Sequence, residues 1–63
     1  MLNRIIPILM ERDGMTKEEA RIRVQEVREE IMEAIQDGMF DEVEDIMYSE
    51  LSLEMDYIED ILP

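Results

Sequence analysis

The chain has no cysteine, no histidine and no tryptophan, and only two glycines and two prolines. Without cysteine there is no disulfide and no thiolate metal site. Without histidine there is no zinc-finger chemistry and no imidazole base. A carboxylate-bridged di-iron bundle, which needs Glu-x-x-His, is excluded as well. Basic residues are scarce and confined to one half. Arg4, Arg12, Lys17, Arg21, Arg23 and Arg28 are all six of them, and none occurs from Met32 to Pro63. Direct binding of nucleic acid needs clustered Lys and Arg, so it is excluded as a function class. Docking on an anionic membrane is disfavoured for the same reason. No apolar run reaches membrane-spanning length, since the longest, Ile5 to Met10, contains Pro7.

Carboxylates are what the chain has in excess. Eighteen acidic residues give a formal charge of −12 over 63 residues. Seven of them offset the six bases before Met32, and the other eleven follow with no counter-charge. A domain this small buries only about 60% of its unfolded surface and is marginal alone. Self-association or a partner is the expected support. The opening run from Met1 to Met10 has the apolar flavour of a signal peptide, but its apolar stretch is too short and no cleavage site follows. It reads as structure, and the cytoplasm is the expected compartment.

The apolar spacing predicts an all-α fold of three to four short antiparallel helices in one domain, a self-associating helical bundle. Approximate spans are 3–12, 17–36, 40–50 and 54–62. In the first, Leu2, Ile5, Ile6 and Leu9 follow helical spacing. Pro7 either sits early in that helix or kinks it. Asp13-Gly14 ends the segment, with glycine suited to a left-handed terminus. Thr16-Lys17-Glu18-Glu19 is a capping box that starts the second helix. Ala20, Val24, Val27, Ile31 and Ala34 then form a heptad seam that runs to Asp37-Gly38. Phe40, Val43, Ile46, Met47 and Leu51 mark the third helix, and Met55, Ile58, Ile61 and Leu62 the last. The join from Glu33 to Ile46 is similar to one hairpin of a tetratricopeptide repeat, without the rest of that motif.

Asp41, Glu42, Glu44, Asp45, Glu54, Asp56, Glu59 and Asp60 lie mostly off the apolar stripes. Two readings stand. They are a solvated face that keeps a small apolar protein in solution. Or they are the binding surface for a basic protein, with Met39, Phe40, Tyr48 and Tyr57 as apolar anchors. Carboxylates crowded this way repel one another, which favours a surface kept for a partner. Spaced along helices, they can imitate the phosphate charge of duplex DNA.

No metal site or cofactor is expected, because Asp37-Gly38-Met39-Phe40-Asp41 departs from the calcium-loop pattern. No catalytic residue is assigned: Ser49, Ser52, Thr16, Tyr48, Tyr57 and Lys17 have no imidazole or thiolate partner, so the chain reads as a non-enzyme. Leu2, Ile5, Ile6, Leu9 and Ile22 are the candidate self-association residues, Ile22 because it projects nearly opposite the seam. A homodimer or higher oligomer is the expected assembly.

The phrases Gly14-Met15-Thr16-Lys17-Glu18-Glu19-Ala20 and Tyr57-Ile58-Glu59-Asp60-Ile61-Leu62 resemble the small acidic helical proteins of bacteriophages. That resemblance implies a host-takeover or anti-defence role in the host cytoplasm, exercised by binding a host protein, whether to inhibit or to tether it. It carries no functional residue over. The alternative is a structural homo-oligomerisation module whose acids only provide solubility.

Overall fold

The computed structural model describes residues 3–62. Those residues form helices joined by short turns, with no strand among them. Four α-helices are present: α1 (Ile5–Asp13), α2 (Lys17–Gln36), α3 (Asp41–Ile46) and α4 (Ile58–Ile61). Helix α3 runs on into a π-helical turn, Met47–Leu51, and a 3-10 turn, Met55–Tyr57, leads into α4. Helix α2 is the spine. Its 20 residues span about 30 Å, close to the 33 Å long axis of the molecule. Helices α1, α3 and α4 all pack on it.

Helix α1 keeps Pro7 because the proline falls in its first turn. The Asn3 Oδ1 accepts from the Ile5 amide at 2.8 Å and from the Ile6 amide at 3.4 Å. The next position is Pro7, which has no amide to satisfy, so the open donors at this end are used without a kink. Gly14 closes the helix at φ 69°. Helix α2 opens on its capping box. Thr16 Oγ1 accepts from the Glu19 amide at 3.1 Å, and Glu19 Oε1 accepts from the Thr16 amide at 2.8 Å. It closes on Gly38 at φ 74°. The Met39 amide donates to the Ala34 carbonyl and the Gly38 amide to the Ile35 carbonyl, the paired bonds of a Schellman turn.

The core is one cluster. Ala20, Val24, Val27, Ile31 and Ala34 of α2 meet Ile5 and Leu9 of α1, Val43 of α3, Met47, Leu51 and Leu53, and Ile61 of α4. Ile5 and Leu9, expected on a self-association face, are 0% and 1% exposed and belong to this core. A side chain with no accessible surface is not available to a second copy, so that assignment is corrected. Leu2 lies outside the described residues.

The third and fourth elements differ in detail from the spans the spacing predicts. Met47 and Leu51 are buried four residues apart, as in an α-helix. The turn between them is nevertheless wider, and Ser52 reverses the chain at φ 54°. The final segment starts as a 3-10 turn before α4. No described helix is long and apolar enough to cross a membrane.

Candidate partner-binding surface

Four arginines of the first half tie down the second half. The Arg4 Nε donates to Asp60 Oδ2 at 2.7 Å, its backbone amide to the same oxygen at 3.0 Å, and its Nη2 to the Asp56 carbonyl at 3.0 Å. Arg12 donates to the Leu51 carbonyl at 2.7 Å and the Ser52 carbonyl at 3.4 Å, and pairs with Asp13 beside it. Arg23 donates to the carbonyl and the carboxylate of Glu50. Arg28 donates through Nε to the Ile61 carbonyl.

These acceptors lie in or beside the last turns of short helical segments. Such turns leave carbonyls without partners inside the helix, and the local dipole favours a cation. A four-residue helix or a single π-helical turn has little stability of its own. The guanidinium groups therefore act as caps brought in from α1 and α2. Four of the chain's six basic residues are used in this way.

The ion pairs shift two acids. The Arg4 guanidinium, by hydrogen bonding, holds the Asp60 carboxyl below the usual aspartate range. Arg12 does the same to Asp13. Glu19 is held low by the hydrogen bond from the Thr16 amide, with the Thr16 hydroxyl contributing less.

The structure separates the predicted acidic residues into two groups. Asp60 is engaged by Arg4, and its side chain is mostly covered. Asp41, Glu42, Glu44, Asp45, Glu54, Asp56 and Glu59 are exposed. None of their carboxylates is in an ion pair among the described residues. Of the anchor candidates, Phe40 and Tyr48 are 65% and 73% exposed, and Met39 is exposed too. Tyr57 is half-buried, with the Arg4 guanidinium 4.8 Å from its ring centroid. Among the described residues no three carboxylates converge to hold a metal ion.

Of the self-association candidates, Ile22 is 52% exposed and Ile6 is half-buried, and the two line one shallow groove with Arg21 and Arg28. The residues that sequence reasoning missed are Arg4, Arg12, Arg23 and Arg28. Their confinement to the first half was visible, but their acceptors are main-chain carbonyls 27 to 52 residues away. No local spacing encodes such pairs.

No protein-family model matches the chain, and neither a curated protein nor a solved structure matches it.

Proposed function

We propose that this chain is a non-catalytic acidic binding protein, of the bacteriophage kind, that captures and inhibits a basic, nucleic-acid-binding host protein in the host cytoplasm. One observation carries the reading. The arginines best placed to neutralise the second half are spent on holding it in place, so nine of its carboxylates, seven of them from Asp41 onward, stay exposed and without an ion pair among the described residues. A solvated face normally mixes both signs, and this one does not. Its charge attracts a cationic surface at long range, and Met39, Phe40 and Tyr48 add apolar contact once the partner has docked.

The test is capture from bacterial lysate with Asp41→Asn, Glu44→Gln and Asp45→Asn combined. All three side chains are exposed, so the fold is retained. The variant should lose the captured basic protein, and duplex DNA should displace that protein from the unmodified chain. Capture that is unchanged by the triple substitution refutes this surface.

A second reading has its own observation. Ile22 stands out of α2 beside Ile6, which suits an antiparallel self-associating bundle. A dimer that persists in high salt and falls apart on Ile22→Glu would favour it.

A further inference from the structure

We propose that the cleft between α3 and the segment before the 3-10 turn receives an arginine side chain of the partner protein. This rests on the reading of a basic partner above and names its point of contact. The cleft has a volume of about 360 Å³ and is lined by Glu44, Asp45, Tyr48, Leu53, Glu54 and Met55. Its wall is apolar at Leu53 and Met55, aromatic at Tyr48 and anionic at the three carboxylates. No basic side chain lines it.

The chain shows elsewhere what such a combination holds. At Tyr57 the ring carries the Arg4 guanidinium on its face at 4.8 Å, while the Asp60 carboxylate and the Asp56 carbonyl take its N–H groups. An aromatic face suits a guanidinium because the ring is negative above its plane. The flat fork of N–H donors meets a carboxylate in the same plane. Tyr48 has Glu44 and Asp45 one turn before it and Glu54 across the cleft, the same chemistry with no arginine in it. Lysine fits less well, since its compact ammonium neither stacks flat nor forks.

The occupant is a foreign protein and not a second copy. A chain of charge −12 repels its own acidic half. Its arginines at positions 4, 12, 23 and 28 are committed within the fold, and Arg21, the remaining one, faces Glu18 at 3.3 Å on its own helix.

The test is a titration of the 15N-labelled full chain, at low salt, with a blocked peptide containing two arginines and with its lysine counterpart. The arginine peptide should move the amides of 44–48 and 53–55 and bind more tightly than the lysine peptide. Tyr48→Ala should weaken it about two- to fivefold, the range of an exposed cation–π contact. Tyr48→Phe should retain it. Among the described residues Tyr48 is the most exposed of the large apolar side chains, so neither variant should disturb the fold. Equal binding of both peptides, with shifts spread over Asp41, Asp56 and Glu59 and no effect of Tyr48→Ala, overturns the cleft and leaves the charge-driven reading standing. No binding of either peptide overturns both. A concentration-dependent dimer that buries residues 44–55 also overturns it, by making the second copy the occupant.

Discussion

Replacing Arg28 with alanine should destabilise the chain far more than replacing Arg21, although the two lie on the same helix and each change removes one positive charge. Arg28 is half-buried and donates to the carbonyl of Ile61, whose side chain is in the core. Arg21 reaches only Glu18, at 3.3 Å, with both side chains more than half exposed. A hydrogen bond from a charged donor contributes about 1.5–3 kcal/mol. Partial contact with water brings the expected loss at Arg28 to about 1–2 kcal/mol. An exposed pair of the Arg21 kind contributes less than about 0.5 kcal/mol. A domain of this length holds about 3–9 kcal/mol in all. For a chain of 60–100 residues each kilocalorie shifts the midpoint by about 4–8 °C. Thermal melts followed by circular dichroism should therefore drop by about 4–16 °C for Arg28→Ala and by less than about 4 °C for Arg21→Ala. Amide exchange should quicken first at 58–62. Equal shifts for the two variants would mean that only net charge matters, and would refute the capping role.

Asp60→Asn should lower the melting temperature at neutral pH, by an amount that shrinks on acidification. The Asp60 carboxyl titrates below its ordinary 3.8 in the folded chain. Its contribution is thus complete above about pH 4 and is lost as pH falls through the depressed value. Melts of both proteins from pH 7 to pH 2.5 measure this, and a difference that grows in acid contradicts it. Met47→Ala removes a side chain with no exposed surface and should cost about 2–5 kcal/mol by urea titration, a large share of the domain's total stability. Ser52→Gly relieves a left-handed residue at φ 54° and should raise stability by about 0.5 kcal/mol in the same assay.

How much of this could be read in advance depended on whether the cause was local. Helix α2 was legible because a capping box, a heptad seam and a terminal glycine all act within a few residues of one another. The seam positions Ala20, Val24, Val27, Ile31 and Ala34 are the ones α2 buries. Pro7 was ambiguous until Asn3 was seen to satisfy the amides on its N-terminal side. The π-helical turn was not legible, because one widened turn keeps Met47 and Leu51 on the core side and leaves the apolar pattern helical. Ile5 and Leu9 were misassigned for a related reason. An apolar stripe looks alike whether it meets its own chain or another, and here α2 supplies the cover. The acidic surface was legible as composition, but its division was not. Asp60 left the free set only because Arg4 comes from the far end of the chain.

The most direct measurement is retention, across a salt series, of the proteins this chain captures from bacterial lysate. Exposed carboxylates facing a basic surface are screened over about 10 Å at 0.1 M salt and about 3 Å at 1 M. The expected result is a single basic nucleic-acid-binding protein held at low salt and lost by a few tenths molar. A partner retained undiminished at 1 M salt, or recovery of the chain with only itself, would contradict charge recognition by the second half.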